Sequence, residues 1–201
     1  KMRTKISRDL HDDLGSTLSS ISILSGQVKS RLIKQPETVE PILDKINESA
    51  IKMNDSLQDL VWAVKPENDT LQELLVRMEQ FASGILESKN INYTFTGPTT
   101  VSDIKLNPEL IRNIYLIFKE AVNNAAKYSN CANVTITIKE KGKQLSLSVI
   151  DDGIGFNPET VKRGNGLNNM TKRAAQIGGS LNIISEPNKQ SGIVLECKIT
   201  S

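Results

Sequence analysis

Apolar residues recur three and four apart along the first part of the chain: Ile6, Leu10, Leu14, Leu18, Ile21, Leu24 and Val28. That period predicts an amphipathic helix from about Thr4 to Ile33, on the order of 45 Å long. Lys34-Gln35-Pro36-Glu37-Thr38 interrupts the pattern, because Pro36 opposes continuation. A second stripe follows, carrying Val39, Ile42, Leu43, Ile46, Ala50, Met53, Leu57, Leu60 and Val61. Pro41 falls in its first turn, where a missing N–H does no harm, and Pro66 ends it. Two long helices with a short connection predict an antiparallel hairpin.

A lone hairpin of that length leaves one apolar side uncovered. The simplest cover is a second copy, so a homodimer built on a four-helix bundle is expected. After Pro66 the period changes. Residues 69–88 read as one more amphipathic helix, and Ile91–Thr96 alternates like a strand. Glu109–Tyr128 reads as a helix with Pro108 as its start signal. Val134–Lys139 and Leu145–Ile150 flank Lys141-Gly142-Lys143 as a hairpin. Leu167–Ile177 is helical and closes on Gly178-Gly179, and Leu181–Ser185 and Ile193–Ile199 are the last strands. Strands and helices mix without strict alternation. The expected fold is therefore a helical hairpin over residues 1–66, then an α+β sandwich over 67–201 with helices on one face of a mostly antiparallel sheet.

Composition narrows the function. Lys and Arg number 25 against 23 Asp and Glu, and a net charge of +2 offers no argument for nucleic acid. The two cysteines, Cys131 and Cys197, lie far apart and share no zinc-like spacing with the single histidine. A reducing, cytoplasmic setting is the simplest expectation. No apolar run approaches the length of a membrane span. Lys1 already lies inside a helical pattern, as expected of a piece of a longer chain whose membrane anchor, if any, lies upstream.

Four places carry candidate chemistry. His11 lies mid-helix in Asp9-Leu10-His11-Asp12-Asp13-Leu14-Gly15, at the edge of the apolar stripe. A lone helical histidine between acids is commonly a solvated surface residue. A carboxylate bonded to one imidazole nitrogen would instead fix the tautomer and leave the other nitrogen free as a nucleophile, with Asp12 as the candidate partner. Next, Glu120, Asn124 and Lys127 fall at i, i+4 and i+7 on one helix face. A carboxylate, an amide oxygen and an ammonium there suit hydrated magnesium and a polyphosphate; the alternative is an ordinary polar face. Third, an apolar strand runs into Asp151-Asp152-Gly153-Ile154-Gly155. Asp151 is placed to accept the exocyclic amine of adenine, and the glycines to let backbone approach a ligand, unless this is a plain Asp-Gly turn. Fourth, Gly164-Asn165-Gly166-Leu167 precedes a helix, as a phosphate cradle or a hinge would. It is neither a dinucleotide fingerprint nor a Walker loop.

The order and separation of these elements resemble the GHKL ATPase superfamily, which includes gyrase-type, chaperone and mismatch-repair ATPases and the histidine kinases. Glu120–Tyr128 resembles its N box, Asp151–Gly155 its first glycine box and Gly164–Leu167 its second. The first half resembles the dimerisation and phosphoacceptor domain of nitrate-sensor-like kinases, in Arg8, Leu10-His11-Asp12 and Leu14-Gly15. The resemblance covers nearly the whole chain. It implies a Bergerat-type ATPase domain, ATP and Mg2+ as cofactors, autophosphorylation of His11, and transfer to an aspartate on a response regulator receiver domain.

Residue by residue, the resemblance implies that His11 accepts the phosphoryl group with Asp12 as acid–base partner. Asn124 ligates magnesium, and Glu120 holds or polarises a water in the same site. Lys127 contacts phosphate, Tyr128 retains an aromatic nucleotide contact, and Asp151 reads adenine. Gly153, Gly155, Gly164, Gly166 and Leu167 shape the pocket and lid. Two positions depart from the family pattern. Ser16 stands where a glutamine often orients water for dephosphorylation of the regulator, and Tyr128 stands where a histidine often closes the N box. Two other classes remain: a nucleotide-binding dimeric scaffold without kinase activity, and a hydrolase that releases phosphate to water.

Overall fold

In a computed structural model the chain divides into two compact units, residues 1–64 and 65–201. The structure describes residues 2–31, 39–64, 70–101, 105–157, 165–186 and 189–199. The first unit is a pair of helices packed on each other, α1 (Met2–Arg31) and α2 (Glu40–Val64). Pro41 occupies the first turn of α2, where its missing N–H costs nothing. Val39 and Ile42 are buried. Leu18 and Val61, both on the stripes that the sequence marks as apolar, remain 56% and 54% exposed. Ile23, Leu43 and Ile51 are also at least half exposed. Two cylinders in contact shield only the strip between them, so these positions stay open.

The second unit runs α3 (Leu71–Glu87), β1 (Asn92–Thr96), α4 (Pro108–Tyr128), β2 (Asn133–Lys141), β3 (Gln144–Asp151), α5 (Asn165–Gln176), β4 (Ser180–Ser185) and β5 (Ser191–Lys198). The strands form one sheet in the order β1-β2-β3-β5-β4. Only β1 and β2 are parallel; the other neighbours are antiparallel. α3, α4 and α5 all contact strands of this sheet.

Local chemistry accounts for the helix boundaries. Thr70 caps α3, its hydroxyl accepting from the Glu73 N–H, while Glu73 supplies the first-turn acid. Asn107 caps α4 in the same way through the Glu109 N–H at 2.8 Å, and Pro108 opens the helix. α5 ends in a paired cap. Gly178 adopts φ +63°, its N–H bonds to Ala175 O, and the Gly179 N–H reaches Ala174 O.

The core forms where α4 lies on the sheet. Ile111, Ile114, Ile117, Phe118 and Val122 on α4 are almost wholly buried, each removed from water for roughly 1.5–3 kcal/mol. They face the inward positions of the strands, Ile136, Ile138, Leu145, Leu147, Val149, Ile193 and Leu195, which alternate with outward ones. Phe81 of α3 meets Tyr115 and Phe118 edge-on, with centroids at 6.2 and 6.3 Å. The alternation in β3 has a consequence for chemistry: it carries Asp151 onto the same inward face as Leu145, Leu147 and Val149.

Candidate nucleotide site

The buried stripe of α4 determines which of its residues stand at the rim. With Val122 wholly buried, Glu120, Asn123, Asn124, Lys127 and Tyr128, together with Ala121 and Ala125, line a cavity of about 730 Å³. That volume lies within the range of small-ligand sites. Asp151, Ser191 and Gly192 form part of another wall, and Val149, Met170, Ile183 and Ile193 supply apolar surface. Gly155, Gly166 and Leu167 also line it. The helix period thus brings Glu120, Asn124 and Lys127 into one site with Asp151, although Lys127 and Tyr128 themselves are exposed.

Asp151 is only 6% exposed, and both its oxygens are held. The Gly153 N–H donates to Oδ1 at 3.0 Å, and the Ser191 hydroxyl donates to Oδ2 at 2.8 Å. A carboxylate has about four acceptor positions. The remaining ones are free to take an amine donor from a ligand in the cavity. A buried acid whose only partners are donors suits an amino-purine, since it repels a carbonyl in the same place.

Two glycines of the first box are also points where the chain packs closely on itself. A Cβ on Gly153 would lie 2.2 Å from the carbonyl oxygen of Ser129, and the Ile154 N–H donates to that same oxygen at 2.8 Å. Gly155, at φ +58°, would place a Cβ 2.1 Å from Glu186 O and 2.5 Å from Lys189 O. These glycines let the strand end dock on the end of α4 and on the turn after β4, so the close approach is within the protein. Gly166 lies inside the first turn of α5 instead of ahead of it, because the helix starts at Asn165. A Cβ there would meet Glu120 Oε1 at 2.1 Å.

Gly153 is absent from the cavity wall, although it anchors Asp151. Gly164 lies outside the described residues. His11 and Asp12 are carried on α1, and their side chains fall outside what the structure describes. Ser129 and Ser191 are wall residues that the sequence reading does not single out. Strand pairing delivers Ser191 opposite Asp151 from 40 positions away. A signal existed: Ser191 is the polar member of an inward series that continues Ile193, Leu195, Cys197.

Glu120 and Asn124 test well as oxygen donors for magnesium. They offer one carboxylate and one amide oxygen a helical turn apart on the cavity wall, and magnesium takes few protein ligands and fills the rest with water and phosphate oxygens. Among the described residues there is no larger His, Cys, Asp and Glu cluster of the kind a metal held by protein alone requires. Nor is any described helix long and apolar enough to cross a membrane.

This fold and cavity define an ATPase domain of the gyrase and chaperone type, carried behind a helical hairpin. Comparison with known proteins agrees on both parts. Residues 109–201 match the family described as histidine kinase-, DNA gyrase B- and HSP90-like ATPase. Residues 3–86 match a histidine kinase family. The sensor histidine kinase DesK of Bacillus subtilis is 30% identical over 92% of this chain and 48% of its own length. LiaS of the same organism, also a sensor histidine kinase, is 25% identical over 98% of this chain and 53% of its own. The chain spans about half the length of these relatives. The solved structure of the Acinetobacter baumannii histidine kinase AdeS covers 90% of this chain and 96% of its own, with a TM-score of 0.61 at 16% identity, a likeness of fold. The chain thus carries a histidine kinase domain followed by an ATPase domain of the histidine kinase, gyrase B and HSP90 type.

Proposed function

We propose that this chain is the catalytic core of a two-component kinase that phosphorylates His11 from Mg-ATP and passes the group to an aspartate of a response regulator receiver domain. The observation that carries the proposal is one cavity with a buried carboxylate, Asp151, that is held by two donors and keeps acceptor positions open on one wall, and Glu120, Asn124 and Lys127 on another. Asp151 takes the adenine amine. Asn124 and Glu120 would hold magnesium, which supplies charge neutralisation for the triphosphate when bound. Lys127 contacts phosphate, and Tyr128 covers the nucleotide at the cavity rim. Gly155, Gly166 and Leu167 shape the pocket, and Gly153 holds Asp151 in place.

The chemical step asks little covalent work of the protein; positioning dominates. A neutral imidazole nitrogen of His11 attacks the γ-phosphorus. The phosphorus–nitrogen bond forms as the bond to the β–γ bridging oxygen breaks, and ADP leaves with that electron pair. Asp12 accepts a hydrogen bond from the other ring nitrogen, which fixes the tautomer and steadies the cation that forms. The uncovered apolar faces of α1 and α2 support a homodimer through the hairpin, and a cytoplasmic setting fits the receiver domain as acceptor.

The test is labelling with γ-labelled ATP followed by acid and base treatment. The parent should yield an acid-labile, base-stable phosphoprotein. His11→Gln should abolish labelling and leave ATP affinity within about twofold, and label entering that variant at the parental rate would refute the assignment of His11. Asn124→Asp, which adds a charge beside the triphosphate, should weaken Mg-ATP binding at least tenfold by calorimetry, on the order of 1.4 kcal/mol. Unchanged affinity contradicts the metal role.

A further inference from the structure

The second acid of the first glycine box has no place in the scheme above, and it is not among the residues that line the cavity. Asp152 is exposed, yet both oxygens of its carboxylate accept hydrogen bonds from the protein. Oδ1 accepts the backbone N–H groups of Ala132 at 2.9 Å and Asn133 at 2.8 Å. Oδ2 accepts the Asn133 side-chain amide at 2.7 Å. The Asp152 N–H in turn donates to Asn133 O at 3.2 Å. All four bonds lie just past Val134↔Asp151, the last pair of the β2–β3 ladder.

An ordinary turn needs no such acceptor. What lies on either side of it explains the arrangement. Ala132 and Asn133 end the short link from α4, and that link is tight: Asn130 sits at φ +52°, and the Ser129 hydroxyl accepts the Cys131 N–H while donating to Ala125 O. At its other end Ser129 O takes the Ile154 N–H. The link is therefore pinned to the glycine box at both ends, by Ser129 with Ile154 and by Ala132 and Asn133 with Asp152. Ser129 is also a cavity wall residue, and Gly153, between Asp152 and Ile154, orients Asp151 through its N–H.

We infer that Asp152 is a positioning residue: its carboxylate clamps the start of β2 to the glycine box, and so holds Asp151 and the end of α4 in one geometry for the nucleotide. The inference rests on the reading of Asp151 as the adenine acceptor. The donors around Asp152, led by the Asn133 side chain, hold its carboxyl below the usual value of 3.8, so the clamp is charged throughout the neutral range.

The test uses the whole chain and compares Asp152→Ala, Asn133→Ala and the exchange Asn133→Asp/Asp152→Asn, with Asp151→Asn as reference. Each is measured for KM and kcat of autophosphorylation, for preference of ATP over GTP, and for thermal unfolding. Asp152→Ala removes hydrogen bonds to a charged group and should raise the KM for ATP about tenfold, with kcat within about twofold. Its ATP over GTP preference should fall. Asn133→Ala, which loses one of the bonds, should raise KM about threefold. The exchange restores an amide–carboxylate pair and should return KM to within about twofold of the parent. A fall in kcat and unfolding temperature with KM and base preference unchanged would show a merely structural residue and overturn the inference. If Asp152→Ala does not fold, Asn133→Ala and the exchange decide it by the same readouts. If Asp151→Asn leaves ATP affinity unchanged, the adenine reading itself fails. If Asp151→Asn weakens binding and the Asp152 and Asn133 variants do not, only the clamp fails.

Discussion

The ATPase unit and the helical hairpin deal with their apolar surface in opposite ways. In the ATPase unit, one helix face and one sheet face close on each other, and Phe118, Ile117, Ile136 and Leu147 lose all contact with water. In the hairpin, Leu18, Ile23, Leu43, Ile51 and Val61 keep half or more of theirs. A self-sufficient core can carry a cavity at its rim, because the layers below hold the wall residues in place. An incomplete core leaves apolar surface open that a second chain could cover. On the proposed function, the difference separates where a small molecule is held from where another protein chain is met.

The comparison can be broken most forcefully at Phe118. Phe118→Ala opens a cavity in the centre of the sandwich and should cost about 3–5 kcal/mol. Denaturant titration of the ATPase unit should show the loss, with nucleotide binding disappearing over the same transition. A cost below about 1 kcal/mol would mean that the layers are not the unit's main support. Ile51→Glu addresses the other half. It should leave the ATPase unit's transition where it is and weaken self-association by about 1–3 kcal/mol, as a carboxylate enters an apolar interface. Sedimentation showing an unaltered dimer would remove α2's open face from the assembly.

The smallest effect concerns pH. Cys197 points inward from β5, and burial pushes its thiol from 9.0 up to about 11. The unfolded chain loses this proton above about pH 9, while the folded chain keeps it until about pH 11. Its contribution to stability is therefore complete below pH 9 and is lost as pH rises toward 11. Cys197→Val should flatten the alkaline fall of the urea midpoint between pH 8.5 and roughly 10.5 relative to the parent. Parallel curves would show that the thiol is not titrating differently in the two states.

Much of the fold was legible because each element satisfies a local rule. The 3.6-residue period of Leu110 to Val122 marks α4, alternation marks β2 and β3, and Gly178-Gly179 marks the end of α5. Asn107 and Thr70 are caps that their side-chain oxygens make. The site residues on α4 were legible for the same reason, since i, i+4 and i+7 share a face in any helix. The partner of Asp151 was not legible. Ser191 belongs to another strand, and no local pattern states which strands will be neighbours. The internal contacts of Gly153 and Gly155 were hidden for the same reason, because what fills the space beside each is the carbonyl of a distant residue.

The amino-acid sequence alone determined the two halves, their helix faces, the single histidine and the acid at the end of β3, because periodicity and residue chemistry act over a few positions. The tertiary structure alone decided that Ser191 would lock Asp151, that Asp152 would tie the start of β2 to the glycine box, and that the close approach at Gly153 and Gly155 would be internal. Those outcomes depend on strand order and register, which arise only when segments 20 to 40 positions apart pack together.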